Sequence, residues 1–164
     1  MKKRIVWCAF LLFWIGIIFH ISSQTSQVQD LSGVIEKVVD EEKWGEMLSG
    51  FSVRYYDQEI SVEKSGVIDF IHFLIRKGAH VGIFFVLGLL TIVVWRLFTD
   101  LHFISVFGSL LFVFGYACLD ELHQHYTGGR TPLFDDVILD TIGGVFGIVC
   151  YLAFTRFRKK EIML

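Results

Sequence analysis

The sequence predicts an all-α integral membrane protein: a four-transmembrane-helix bundle with an exported segment between helices one and two. Three observations predict it. Hydrophobic residues make up 54% of the 164 residues and charged residues only 20%, against roughly 45–50% and 25% in a typical soluble domain. Mean hydropathy is +0.58. The apolar residues fall in four stretches near the length that a bilayer core demands, about 17–25 residues. Seventeen Phe and a single Pro exclude disorder and collagen-like repeats. A chain of this size could not hide so much apolar surface in a soluble globule. A net charge of −2 excludes nucleic acid as a partner by bulk electrostatics.

The first span, residues 5–21, follows Lys2, Lys3 and Arg4. A cleaved signal peptide shares that pattern, but bulky Trp7, Trp14 and Phe19 and the absence of an A-x-A-like site favour an uncleaved helix. The second span, residues 79–97, carries one charge, Arg96, at its far end. The third, residues 103–119, carries none. The fourth, residues 137–154, is interrupted only by Asp140, one turn in. Cys8, Cys118 and Cys150 are odd in number, far apart and within apolar runs, which argues against a disulfide framework or a structural zinc site. The whole chain, residues 1–164, reads as one membrane domain.

Basic residues set the expected orientation. Lys2, Lys3 and Arg4 precede the first span, and Arg156, Arg158, Lys159 and Lys160 follow the fourth. Four spans put both termini on one side, so both are expected in the cytoplasm of a cell-membrane, multi-pass protein. Residues 22–76 then face outward; they carry ten acids and five bases. Leu31, Val34, Ile35, Val38 and Val39 recur at helical spacing there, predicting an amphipathic helix from near Asp30. Residues 51–60 alternate weakly, as a short hairpin or a loop. From Ser61 the pattern turns helical again, and Val67, Ile68, Ile71, Leu74 and Ile75 lead into the second span.

Ionisable groups beside a membrane span are costly and mark function or a protein-facing surface. Here the topology gathers them at one level. Ser22, Ser23 and Gln24 end the first span; Arg76, Lys77 and His80 open the second. Asp120, Glu121, His123 and Gln124 end the third; Arg130, Asp135, Asp136 and Asp140 precede and open the fourth. Arg76 and His80 are four apart, as are Asp136 and Asp140 and as are Asp120 and Gln124, so each pair shares a helix face. Gly143 and Gly147 form a small-xxx-small pair that permits close helix contact.

Three roles fit this cluster. Arg76 and Arg130, with Lys77, can clamp a phosphate or carboxylate. His80 or His123 can relay a proton, with Asp120, Glu121, Asp136 or Asp140 as bases. The same acids can ligate a divalent metal with histidine help, but no HExxH-type spacing singles out a ligand set, and the cofactor stays open. Against all of these stands a purely structural network in which acids and bases lock helix ends together. His125 reads as a solvent-facing loop residue, and His20, His72 and His102 as interfacial. Without broken or inverted-repeat helices, a transport pathway has little support.

Three blocks then carry a resemblance. The first is Ser22-Ser23-Gln24. The second is Arg76-Lys77-Gly78-Ala79-His80, with Leu87-Gly88. The third is Asp120-Glu121-Leu122-His123-Gln124, with Gly129-Arg130, Asp136, Asp140-Thr141-Ile142-Gly143-Gly144 and Gly147. Together they resemble the VanZ-like family of small bacterial membrane proteins, named for a teicoplanin-resistance protein. The chain departs from the family pattern in having Phe84 where a tyrosine is frequent and Asp140 where asparagine is common. It also has a longer outer segment.

The resemblance implies a link to teicoplanin or lipoglycopeptide resistance, or to cell-envelope modification. The partners it implies, besides the lipid bilayer, are an anionic lipid, a lipid-linked cell-wall precursor or the lipoglycopeptide itself. If the protein is an enzyme, a membrane hydrolase or transferase fits, with Asp120, Glu121, His123 and His80 as catalytic candidates. Arg76, Lys77, Gln124, Arg130, Asp136, Asp140, Ser23 and Gln24 are then the ligand-binding candidates. The alternative is a non-enzymatic scaffold that binds a partner through the acidic exported segment.

Overall fold

A computed structural model describes residues 1–25, 28–55, 58–128 and 133–162. The described elements run α1 (Lys2–Ser22), α2 (Ser32–Val38), α3 (Glu41–Leu48), β1 (Ser52–Tyr55), β2 (Gln58–Ser61), α4 (Val62–Ser65), α5 (Val67–Phe98), α6 (His102–Gly128) and α7 (Phe134–Ile162). Four of them, α1, α5, α6 and α7, are long and apolar enough to cross a membrane. The expected all-α class is borne out, with one small hairpin added. Only a helix satisfies its own backbone N–H and C=O groups in hydrocarbon, which is why all four apolar stretches take that form.

The long helices outrun the apolar spans from which they were read. Helix α5 begins at Val67 rather than near Ala79, and α6 continues through Gly128 rather than stopping near Leu119. Charges such as Asp69, Arg76 and Asp120 end an apolar run, but they do not break a helical hydrogen-bond ladder. His125, expected in a loop, therefore lies on α6, though it is exposed.

The chain forms two compact units, Met1–Ser23 with His80–Leu164, and Gln24–Ala79. In the first unit each long helix contributes to one core: Ile18 from α1, Phe84 and Leu87 from α5, Val113 and Ala117 from α6, and Val137 from α7. Two aromatic side chains bind across helices. Trp14 Nε1 donates to the Ile83 carbonyl at 3.0 Å, and Tyr116 Oη donates to the Ile15 carbonyl at 3.1 Å. Each ring fills apolar space while its polar tip finds a backbone acceptor. The outward faces are apolar too: Phe103 is 78% exposed and Phe146 59%. In water such faces would be a liability; in lipid they are the solvent-compatible surface. All three cysteines are free thiols.

Glycines set the packing of α5 on α7. A Cβ on Gly143 would lie 2.5 Å from the Val81 carbonyl oxygen, and one on Gly147 would overlap that of Phe85. A Cβ on Gly88 would overlap the Gly144 carbonyl. The small-xxx-small pair thus lets two backbones meet directly. Both sets of contacts step by four residues in the same direction, as expected of parallel helices.

In the second unit Asp30 Oδ1 accepts from Ser32 N–H at 2.9 Å at the start of α2, and Asp40 caps α3 by accepting from Lys43 N–H at 3.3 Å. The expected helix near Asp30 is thus α2, though of the five residues that predicted its apolar face only Ile35 is buried and Val34 and Val38 are exposed. Residues 51–60 resolve into the hairpin: β1 and β2 pair antiparallel, with Val53 opposite Ile60 and Arg54 opposite Glu59. Glu63 Oε1 accepts from Gly50 N–H at 3.1 Å, which holds its carboxyl below the usual range. Gly66, at φ +83°, makes the left-handed turn into α5, a conformation that disfavours any side chain.

Gly147→Ala is expected to destabilise the protein by about 1–3 kcal/mol through overpacking against backbone. Gly16→Ala, with nothing within 4 Å of the added methyl, should be neutral or slightly stabilising. Thermal unfolding of the detergent-solubilised protein measures both.

Candidate functional site

In the first unit, α5, α6 and α7 bring three ionisable side chains together. His80, Asp120 and Asp140 each offer a ligand atom within 4.8 Å of the others. His80 Nδ1 lies 3.4 Å from Asp140 Oδ1. Asp120 and Asp140 are 4% and 2% exposed. The helices explain the convergence. Asp140 sits one turn before Gly143 and Gly144, and His80 immediately precedes Val81, so the glycine-mediated approach of α5 and α7 sets the two side by side. Asp120 arrives from α6, one turn beyond the core residue Ala117.

Gln124 belongs to the same group. Four residues beyond Asp120 on α6, its Nε2 donates to Asp120 Oδ2 at 2.8 Å. The amide fixes the carboxylate's orientation. The shared face read from the i, i+4 spacing therefore exists because α6 continues past both residues. Asp140 Oδ1 is buried with no hydrogen-bond partner, an unusual state for a carboxylate oxygen, since buried polar atoms are almost always satisfied.

Other candidates have different partners. Glu121 Oε1 accepts from Leu133 N–H at 2.7 Å, just before α7 begins. That carboxylate satisfies an orphan donor at a helix N-terminus, where negative charge is also favoured by the dipole. Glu121 is thereby a positioning residue joining the end of α6 to the start of α7. His123 stacks on Phe19, with centroids 4.3 Å apart, and its Nε2 lies 2.9 Å from Ser23 Oγ. The Ser23 hydroxyl spends its single proton on the Phe19 carbonyl at 2.7 Å, so His123 Nε2 donates to it. Ser23 and His123 therefore fasten α1 to α6. Asp136 is half-buried near the start of α7.

Arg76, Lys77 and Gln24 fall in the second unit. Lys77 is buried there, with Nζ 4.3 Å from the Tyr55 ring centroid and 5.7 Å from that of Phe73. The two rings meet edge to face at 5.5 Å. This is a cation–π seat, in which two aromatic faces help to hold the ammonium. Arg76 and Gln24 are half-buried. Arg130 lies outside the described residues.

Phe19, Trp14 and Tyr116 were not expected to contribute. Their signal in the sequence was an aromatic ring with or near a polar partner inside an apolar span, which alone does not say what it touches. His72, read as interfacial, has Nε2 3.3 Å from the Gln29 carbonyl within the second unit.

The VanZ/LLP1 family model matches residues 7–155, from within α1 to within α7. The chain belongs to the VanZ/LLP1 family. Neither the curated proteins nor the solved structures give a match. The resemblance carried by the three motif blocks is borne out. In this VanZ/LLP1 protein the second and third blocks supply His80, Asp120, Gln124 and Asp140, which meet in one buried cluster. Asp140 adds a second carboxylate to it, beside Asp120.

Glu121→Ala is expected to lower stability by about 1–3 kcal/mol, because it leaves the Leu133 N–H without its acceptor. Glu121→Gln keeps an acceptor oxygen and should lose less. Thermal unfolding of the two variants in detergent distinguishes them.

Proposed function

We propose that this VanZ/LLP1 membrane protein acts at the cell envelope, recognising a lipid-linked, anionic ligand at the cluster of His80, Asp120, Gln124 and Asp140. The ligand class comprises an anionic lipid, a lipid-linked cell-wall precursor or a lipoglycopeptide, and the physiological outcome is reduced susceptibility to teicoplanin. The observation that carries this reading is the convergence of His80, Asp120 and Asp140 on one buried point inside a bundle of membrane helices. Burying ionisable groups there is expensive and is maintained where they work. The basic residues that flank the bundle, Lys2, Lys3 and Arg4 before α1 and Arg156 and Arg158 late in α7, support cytoplasmic termini. The C-terminal end of α1 and the N-terminal end of α7 then lie toward the outside, and the cluster with them.

The test is susceptibility to teicoplanin and vancomycin in a sensitive Gram-positive host expressing the wild type or Asp120→Asn, with membrane abundance measured. Wild type is expected to protect against teicoplanin more than vancomycin, and Asp120→Asn to lose that protection at equal abundance. A well-expressed wild type without protection overturns the reading, as does full protection by the variant.

A second reading makes the chain a partner-binding scaffold that uses residues 24–79. It is favoured by the compact folding of that unit, with one capped helix and a hairpin of its own. Deleting residues 30–60 abolishes the phenotype on this reading. Retention of full protection counts against it.

A further inference from the structure

We infer that His80, Asp120 and Asp140 form a binding site for one divalent transition-metal ion, zinc or manganese, with coordination positions left open to a phosphate oxygen or water. The inference rests on the reading above only in taking this cluster as the working site.

Four observations support it. The first is the donor set: one imidazole nitrogen and two carboxylates, from three different helices, with ligand atoms all within 4.8 Å of one another. One nitrogen and two oxygen donors suit zinc and manganese, and three protein ligands leave room for an exogenous one. The second is the separation of 3.4 Å between His80 Nδ1 and Asp140 Oδ1. That is long for a charge-assisted hydrogen bond, about 2.7–2.9 Å. It matches the edge of a tetrahedron whose ligands stand about 2.0–2.1 Å from a central ion, which is about 3.4 Å.

The third is the orphan oxygen. Asp140 is 2% exposed, its Oδ1 has no hydrogen-bond partner, and it points at His80. A buried carboxylate oxygen whose nearest polar neighbour is an imidazole nitrogen at 3.4 Å is costly in a membrane bundle, and a cation between the two removes that cost. Among the described residues no lysine or arginine forms an ion pair with Asp120 or Asp140; the basic group beside Asp140 is the His80 imidazole itself. The fourth is the outer support. Gln124 Nε2 holds Asp120 Oδ2 at 2.8 Å, the kind of hydrogen bond that orients a ligating carboxylate.

The metal also resolves a charge problem. A cluster with two carboxylates repels an anionic ligand, whereas a divalent ion at its centre attracts a phosphate oxygen. The ligand chemistry is therefore a phosphate group, whether on a lipid headgroup or on a lipid-linked precursor.

The test uses the full chain purified in detergent, stripped with a chelator, reloaded with zinc or manganese chloride alone and desalted. Metal is counted by inductively coupled plasma mass spectrometry. Wild type is expected to retain about one equivalent per chain and to unfold at a higher temperature when loaded. Asp140→Asn and His80→Gln should each bind at least roughly tenfold more weakly, with Asp100→Asn, in the loop between α5 and α6, as the unchanged control. Should the variants not fold, pulsed electron paramagnetic resonance of manganese-loaded wild type reads the site directly, with one coupled imidazole nitrogen expected.

A wild type that retains less than a tenth of an equivalent overturns the inference, as does manganese without an imidazole nitrogen, or undiminished binding by a folded Asp140→Asn. Teicoplanin protection by a wild type that binds no metal would overturn the metal site and leave the envelope reading standing. Metal binding lost in Asp140→Asn, in a protein that protects no host, would support the site and overturn the envelope reading.

Discussion

The close approach of α5 and α7 is the constraint on which the rest of the membrane unit depends. At Gly88, Gly143 and Gly147 no side chain stands between the two helices, so backbone meets backbone, while Gly144 makes room for Val113 of α6. In lipid, packing of this kind is what holds helices together, because apolar side chains gain nothing by leaving hydrocarbon tails for one another. The same contact decides where polar groups meet. With Val81 against Gly143, His80 comes to lie 3.4 Å from Asp140. A wider helix spacing would leave two isolated ionisable groups in the bundle, each at high cost.

Around that axis the remaining polar residues divide by task. Trp14 and Tyr116 donate to backbone carbonyls of neighbouring helices. His123 and Ser23 tie α1 to α6 near the ends of both. Glu121 reaches the start of α7. These bonds fix the ends of α1, α6 and α7 and tie α1 to α5 and α6, while His80, Asp120 and Asp140 gather at one buried point. Fasteners that are satisfied within the protein and a cluster that is not fully satisfied are the expected signature of a scaffold and its working site.

The acidic unit formed by residues 24–79 follows different physics. Asp40 caps α3, Asp30 accepts from Ser32 N–H at the start of α2, and an exposed pair, Lys64 Nζ to Glu59 at 2.6 Å, ties α4 to β2. Exposed ion pairs contribute little to stability. Ile35, Val67, Phe70 and Lys77 are buried, and the Lys77 ammonium lies against the faces of Tyr55 and Phe73.

How much was legible beforehand follows from which properties are local. The membrane class, the four apolar stretches and the family motif blocks were readable from the sequence by itself, because length and hydropathy act over a single helix and need no partner. His80, Asp120, Gln124 and Asp140 stood out for a related reason: polar and charged residues beside or within apolar runs are conspicuous. Their division into roles was decided only by tertiary structure. Nothing in the order of residues says that Glu121 bonds Leu133, that His123 stacks on Phe19, or that Gln124 bonds Asp120 while Asp140 Oδ1 is left bare. Those choices rest on helix register and rotation to within an ångström, and these are set by contacts between residues as distant as Val81 and Gly143.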